Sequence, residues 1–110
     1  MIESEYRYFR DMAESEGVQL LYIFNREKPF GGCTVAWHWS TEHKNSKMIT
    51  LAVSFCSEKD HFNRKLGAYN ALFNLFAGKT IEMPINSGRK NRTDVARVLW
   101  ETFGKLVEWN

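Results

Sequence analysis

The side chains best suited to nucleophilic or metal chemistry are two cysteines and three histidines. Cys56 directly precedes a segment that starts like a helix, where a thiolate is favoured, and His38 or His61 could act as its base. No local catalytic signature surrounds Cys56, and the spacing of the five residues matches no metal motif. We therefore predict no catalytic residue, no metal site and no cofactor.

The cysteines also indicate a cellular compartment. Cys33 and Cys56 lie in apolar, strand-like segments without C-x-x-C spacing, which favours free thiols in a reducing cytosol, with a single disulfide as the alternative. The first residues, MIESEYRYF, are acidic and aromatic, unlike a signal peptide, and no apolar run approaches the roughly 18 residues of a membrane span. The sequence predicts a cytoplasmic protein without a membrane segment.

Charged residues are unevenly distributed, although the net charge is only +2. Residues 1–42 contain four basic and seven acidic residues, a net charge of −3. Residues 43–97 contain ten basic and four acidic residues, a net charge of +6. A positive side of this kind suits an acidic protein or a nucleic acid, and ordinary solubilising charge is the alternative.

Two basic segments contain candidate contact residues. The run CSEKDHFNRKLGAYNAL, residues 56–72, leaves a strand and opens a helix with a polar, basic start. The loop SGRKNRT places basic side chains close to a second helix start, where free N–H groups could help to hold a phosphate or a carboxylate. The predicted partner-binding residues are Asn63, Arg64, Lys65, Asn70, Arg89, Lys90 and Arg92. A solvated helix face and a plain surface loop are the alternatives.

Asparagines follow one face of the predicted second helix. Asn63, Asn70 and Asn74 align with Gly67, opposite a stripe of larger apolar residues. Asparagine is a poor helix former because its side chain competes for backbone hydrogen bonds. Departures of this kind from local rules tend to occur at functional places, which favours a binding role for this face. The apolar stripe consists of Phe62, Leu66, Tyr69, Phe73 and Phe76.

Two segments have the clearest strand pattern. In CTVAWHWS and MITLAVSFC, large apolar residues alternate with small ones, which indicates an antiparallel pair joined by the polar link TEHKNSK. We predict that the large faces are buried under a helix. These faces contain Val35, Trp37, Leu51, Val53 and Phe55.

The remaining segments complete an α+β domain. IESEYRYFRDMAESEG has helical periodicity, VQLLYIFNREK is typical of a covered strand, and Ser57 with Asp60 forms a capping box for the second helix. KTIEMPI is a short strand that Pro84 restricts to an edge, and Thr93 caps a last helix. Residues 1–110 are therefore predicted to form a single α+β domain. Its antiparallel sheet has three strands and a short fourth, in the order α-β-β-β-α-β-α with packed helices.

The stretch AVSFCSEKDHFNRKLGAYNAL resembles a pattern seen in small accessory proteins of tailed bacteriophages. In that pattern an apolar strand ends in Cys-Ser and is followed by Lys-Asp, Phe and Arg-Lys-x-Gly, which opens a helix; here it covers about a fifth of the chain. The resemblance implies a non-enzymatic phage protein in the cytoplasm of an infected bacterium. It also implies an inhibitor of a host protein or of an antiviral-defence protein such as a CRISPR effector.

The stretch TEHKNSKMITLAV resembles the histidine-bearing loop of double-stranded RNA-binding domains, with His43 in the matching position. Those domains have the order helix, three strands, helix. Here Ser40 and Thr41 replace the family's Gly-Pro, the loop falls one strand later, and the second helix lacks the family's lysine-rich, alanine-rich start. This resemblance implies the alternative function, nucleic-acid binding through the same basic residues.

Overall fold

Three helices surround one antiparallel sheet in the part of the chain that the computed structural model describes, which is residues 2–40, 48–85 and 92–105. The class and the element order confirm the prediction made from the sequence. The elements are α1 (Glu3–Ser15), β1 (Gln19–Ile23), β2 (Cys33–Trp39), β3 (Met48–Phe55), α2 (Arg64–Phe76), β4 (Ile81–Pro84) and α3 (Arg92–Phe103).

The four strands lie in the order β1-β2-β3-β4, so each strand pairs with its neighbour in the sequence. β4 is a short edge strand, as predicted from the presence of Pro84 in the sequence. Proline has no N–H to donate to a neighbouring strand, so it is tolerated at an edge. It pairs only with the first half of β3, from Met48 to Leu51. Residues 52–55 of β3 therefore extend beyond β4.

One face of the sheet packs against α3. The large side chains of β2 and β3 form a core cluster with Val95, Leu99 and Phe103 of that helix. Three predicted core positions are confirmed as buried, and these are Val35, Trp37 and Leu51. Val53 is only half-buried. Phe55 is 56% exposed, so its predicted burial is wrong. As the last residue of β3, it lies outside the cluster that α3 covers.

The opposite face of the sheet packs against α2, with α1 beside it. Its central strands present small residues there, namely Thr34, Ala36 and Ala52. Small residues allow a helix to approach closely, and a Cβ atom at Gly67 would overlap the Thr34 hydroxyl. The residues of α2 that become buried are Ala68, Ala71, Leu72 and Leu75.

The apolar stripe of α2 does not face the sheet. Tyr69, Phe73 and Phe76 turn towards α1 instead, where their ring centroids lie 5.5, 6.1 and 6.0 Å from that of Phe9. Leu66 stays 43% exposed. This face of the sheet consists of small side chains, so α2 lies close to it and contacts it through its own alanines and leucines. The bulky residues of α2 pack between the two helices.

Candidate functional site

The N-terminal end of α2 meets the end of the sheet where β1 and β3 finish and β2 begins. The segment before α2 crosses this end through backbone hydrogen bonds. Phe62 donates its backbone N–H to Pro29 at 2.7 Å, and Gly31 donates to Asp60 at 3.1 Å. Gly32 makes the crossing possible, because it has φ of +93° and a Cβ there would lie 2.7 Å from the Ile23 carbonyl.

Asn63 is the N-cap of α2. Its Oδ1 accepts a hydrogen bond from Leu66 N at 3.0 Å. The predicted capping box of Ser57 and Asp60 is therefore wrong. Those residues form a turn six residues earlier, in which Asp60 N donates to Ser57 O at 3.0 Å. The cause is the pairing of Phe62 with Pro29, which keeps the chain non-helical up to Asn63.

Arg64, the first residue of α2, lies against aromatic rings at the end of β1. Its guanidinium carbon is 5.5 Å from the Tyr22 ring centroid and 5.4 Å from that of Phe24. The Phe24 ring in turn stacks on Phe62 at 4.5 Å. The side chain remains exposed, so a cation–π contact positions a charge that is still available to a partner.

Lys65 is paired with α1. Its Nζ donates to Glu3 Oε2 at 2.6 Å and lies 5.1 Å from the Tyr6 ring centroid. The hydrogen bond from Lys65 lowers the pKa of Glu3 below its usual value. One turn later the Tyr69 hydroxyl donates to Glu5 Oε2 at 2.6 Å. The basic charge predicted at Lys65 is thus partly neutralised by a neighbouring carboxylate.

A cavity of about 270 Å³ opens between the start of α2 and the end of β3. Phe55 and Leu66, both exposed, line it, and Phe30, which is 52% exposed, packs its ring on His61 at 4.8 Å. Phe73 lies two turns after Leu66 on the same helix and is 47% exposed. We call the surface formed by Phe30, Phe55, Leu66, Asn70 and Phe73 the α2 surface.

The asparagine face has structural explanations at three of its four positions. Asn63 is the helix cap, and Gly67 provides the close approach to Thr34. Asn74 Nδ2 donates at 3.3 Å to the carbonyl of Val53, in the half of β3 that β4 does not reach. Asn70 lines the cavity, is exposed, and has no hydrogen bond to any residue in the described ranges. Asn70 is therefore the position of this face without a structural partner in those ranges.

Thr34 forms part of the cavity wall beneath α2. Its side chain is fully buried, and Oγ1 has no hydrogen-bond partner among the described residues. An unpaired buried hydroxyl costs about 1–3 kcal/mol. The hydroxyl lies so close to Gly67 that a Cβ atom at that position would overlap it.

Both cysteines are free thiols. Burial raises the pKa of Cys33 to about 12. Partial burial also raises the pKa of Cys56, whose thiol lies 3.5 Å from the carbonyl oxygens of Ser57 and Asp60. A thiol with a raised pKa is a poor nucleophile at neutral pH. These surroundings give no support for nucleophilic chemistry at Cys56, and its lack of a catalytic role stays a prediction.

The predicted contact residues do not form one patch. Asn63, Arg64, Lys65 and Asn70 lie together at the start of α2. Arg92 begins α3 on the other face of the sheet, beside Gln19 and Trp37 at the opposite end of the strands. Arg89, Lys90 and the hairpin-loop residues His43, Lys44 and Lys47 lie outside the described residues. Thr93 is the second residue of α3, not its cap, since the helix begins at Arg92.

Sequence reasoning missed the exposed apolar residues. It predicted that Phe55 is buried on a hairpin face, placed Leu66 in an apolar helix stripe, and gave no role to Phe30. One available signal was the position of Phe30 between Pro29 and Gly31-Gly32, since a large aromatic residue in a tight turn has little to pack against.

No protein-family model, no curated protein and no solved structure matches this chain. None of the helices in the described part of the chain has the length and apolar content that a membrane crossing requires. Within residues 2–40, 48–85 and 92–105, no group of three or more His, Cys, Asp or Glu side chains is placed to hold a metal ion.

Proposed function

We propose that this chain is a non-enzymatic binding protein that inhibits a host or antiviral-defence protein by covering one of its functional surfaces. The segment around Cys56 resembles a pattern of phage accessory proteins, and small phage proteins of this size are often inhibitors of host enzymes or of antiviral defence. The cytoplasm of an infected bacterium is the proposed place of action. The observation that carries the proposal is the α2 surface, where the exposed Phe55 and Leu66 line one cavity together with Asn70, which has no hydrogen bond within the described ranges. Phe30 and Phe73 add two more exposed aromatic side chains.

The chemistry of the α2 surface suits a protein partner. Exposed apolar clusters on a small domain are typical of interaction sites, and aromatic residues are enriched at the centres of interfaces. The cavity, about 270 Å³, is slightly smaller than the roughly 300–1,000 Å³ of ordinary small-molecule sites. It is suited to one anchoring side chain of a partner, flanked by Phe55 and Leu66. Arg64, which follows the cavity-lining Asn63 in the sequence, provides a charge for an acidic partner.

Nucleic-acid binding is the second candidate. The first five elements have the order helix, three strands, helix of double-stranded RNA-binding domains. The charges at the start of α2 favour nucleic-acid binding less than they favour binding to a protein. Lys65 is paired with Glu3, and α1 next to it has acidic residues in its first turn. Phosphate contacts need unpaired basic groups, and affinity that depends on them falls steeply with salt.

The test is affinity capture from a bacterial host extract, with two variants as a matched pair. Leu66→Gln removes an apolar side chain from the α2 surface and keeps a good helix former. Ile81→Thr removes a similarly exposed one from β4 and keeps a good strand former. We expect the parent and Ile81→Thr to retain one protein in stoichiometric amount, and Leu66→Gln to bind it at least about tenfold more weakly.

The same preparations separate the two candidates. Binding to double-stranded RNA or DNA that falls steeply between low and moderate salt, with no protein captured, would support the second candidate. Equal capture by all three proteins would place the contact elsewhere and contradict the role of the α2 surface. Capture of neither a protein nor a nucleic acid would reject both functions.

A further inference from the structure

The hydrogen bonds of β2 determine which backbone groups of β1 point out of the sheet. At the two ends of the β2–β3 pair, Ser40 N donates to Met48 O and Cys56 N donates to Gly32 O. Antiparallel strands alternate bonded and non-bonded pairs. The even-numbered residues of β2 therefore bond to β3, and the odd-numbered residues bond to β1.

The backbone groups of Leu20 and Tyr22 consequently point away from the sheet, because these residues lie opposite even-numbered positions of β2. No residue in the described ranges forms a backbone hydrogen bond with their outward N–H and C=O groups. In the sheet order, β1 has a neighbour on one side only. With respect to residues 2–40, 48–85 and 92–105, β1 is therefore an open edge with two donors and two acceptors available.

The two edges of the sheet differ in how they are protected. β4 has the usual features that prevent edge pairing, since it is four residues long and contains Glu82 and Pro84. β1, with the sequence QLLYI, has no charge, no proline and no glycine. A groove of about 610 Å³ separates it from α1, so that helix does not cover the edge. An unprotected edge of this kind is suited to pairing with another strand.

The charges next to β1 identify the strand that fits. The chain entering β1 has Asp11, Glu14 and Glu16 against Arg10, and all four are exposed. The chain leaving β1 has Arg26 and Lys28 against Glu27, all exposed. An antiparallel second copy places the acidic start of each β1 beside the basic end of the other. The same attraction occurs twice, as a two-fold axis requires.

We infer that β1 is the pairing edge of a homodimer, in which two copies join β1 to β1 antiparallel and form one continuous eight-stranded sheet. With Leu21 opposite Leu21 of the second copy, the full strand length overlaps. Leu20 then lies opposite Tyr22 of the second copy, and the outward N–H and C=O groups form four hydrogen bonds. The inference does not depend on the proposed function, because no residue of the α2 surface belongs to β1.

A charge exchange on exposed residues tests the homodimer. One variant carries Arg26→Glu and Lys28→Glu, the other carries Glu14→Lys and Glu16→Lys, and mass is measured by analytical ultracentrifugation over a concentration series. We expect the parent to dimerise and each variant alone to dimerise at least about tenfold more weakly, since like charges then face each other. Mixing the two variants restores opposite charges at both contacts, and we expect a heterodimer of parental affinity.

Hydrogen exchange identifies the edge. In the parent dimer we expect the amides of Leu20 and Tyr22 to exchange more slowly than in the variants, while those of β4 are unchanged. A parent that stays monomeric at every soluble concentration overturns the inference. A parental dimer that both variants keep, or one in which the Leu20 and Tyr22 amides are not protected, also overturns it. Circular dichroism of each variant establishes that the exchanged charges leave the fold intact.

Discussion

Asn70 and Asn74 are the same residue type one turn apart on α2, yet their surroundings differ. Asn74 donates to the Val53 carbonyl, whereas Asn70 lies exposed at the cavity. The Asn74 bond satisfies a strand carbonyl that β4 is too short to reach. Residue type alone therefore does not separate a structural asparagine from a candidate contact residue. The difference arises because β4 ends before Val53, which leaves a carbonyl that Asn74 can bond.

We predict opposite effects on stability when each asparagine is replaced by alanine. Asn70→Ala gains helix propensity and loses no hydrogen bond, so it should stabilise the protein by up to about 0.7 kcal/mol. Asn74→Ala gains the same propensity but loses a hydrogen bond worth about 1 kcal/mol, so it should be neutral or slightly destabilising. Urea unfolding of both variants measures the difference. Equal free energies of unfolding would contradict the role of the Asn74 bond.

The cap of α2 illustrates what sequence could not decide at this scale. Ser57, Asp60 and Asn63 are all good N-cap residues, and Ser57 with Asp60 matched the capping-box spacing. The helix begins after Asn63 because the residues before it pair with Pro29 and Gly31 across the end of the sheet. That contact joins residues about 30 positions apart, and no local pattern reports it.

At the scale of elements, the small face of the sheet determines how α2 packs. α2 is apolar on most sides, so its periodicity does not by itself select an inner face. Thr34, Ala36 and Ala52 leave space for a helix with small residues to lie close, and Ala68 and Ala71 fill it. The alternation of large and small residues in β2 and β3 was visible in the sequence. The sequence did not show that α2 packs on the face with small side chains and α3 on the face with large ones.

We predict that Gly67→Ala is destabilising, although alanine is the better helix former. The new Cβ would overlap the Thr34 hydroxyl, and such overpacking costs about 1–3 kcal/mol. Combining it with Thr34→Ala removes the hydroxyl, so the cost should fall by about 1 kcal/mol or more. Thermal and urea unfolding of the two single variants and the double variant give this coupling. Additive single effects would show that the two residues do not restrain each other.

The contact between α1 and α2 should depend on pH through Glu3. Its pKa is lowered by the hydrogen bond from Lys65, so the folded state binds this proton less readily than the unfolded state. The stabilisation is therefore present above the ordinary value of 4.5 and is lost as the pH falls through the lowered pKa. We expect Glu3→Gln to melt slightly below the parent at pH 7, and we expect this difference to become smaller towards pH 3.

Glu101→Gln is the matched control for this pH dependence, since Glu101 is also exposed on a helix, α3, but has no ion pair in the described ranges. Its melting difference from the parent should not show the loss between pH 7 and pH 3 expected for Glu3→Gln. The effect at Glu3 is small because both partners are exposed to solvent, where ion pairs contribute little. A larger effect at Glu101 than at Glu3 would contradict the assignment.

At the scale of the whole molecule, the class and order of the elements could be predicted, but the site could not. Strand alternation, helical periodicity and Pro84 were sufficient for an α+β domain with a short edge strand. The site depends on which basic residues meet in space. Arg64 and Arg92 belong to helices on opposite faces of the sheet and lie at opposite ends of it. The basic residues of the segment 43–97 therefore do not form one surface.

That separation makes Arg64 and Arg92 a matched pair for the last prediction. Each is an exposed arginine and the first residue of its helix. At that position a glutamate interacts favourably with the helix dipole and so stabilises the helix. Arg92→Glu should change stability by only a few tenths of a kcal/mol. Arg64→Glu also loses its contacts with Tyr22 and Phe24, so we expect a cost of about 0.5–1 kcal/mol and an intact fold.

Binding should separate the two substitutions, because Arg64 begins the helix that carries the α2 surface, whereas Arg92 lies at the opposite end of the sheet. With a protein partner, Arg64→Glu should weaken association at least about tenfold, since repulsion replaces attraction, and Arg92→Glu should bind like the parent. With a nucleic acid, either reversal should weaken binding and reduce its salt dependence, as each removes a positive charge. Calorimetry of both variants with the captured partner measures this. Parental binding by Arg64→Glu with loss in Arg92→Glu would move the contact surface to the α3 end of the sheet.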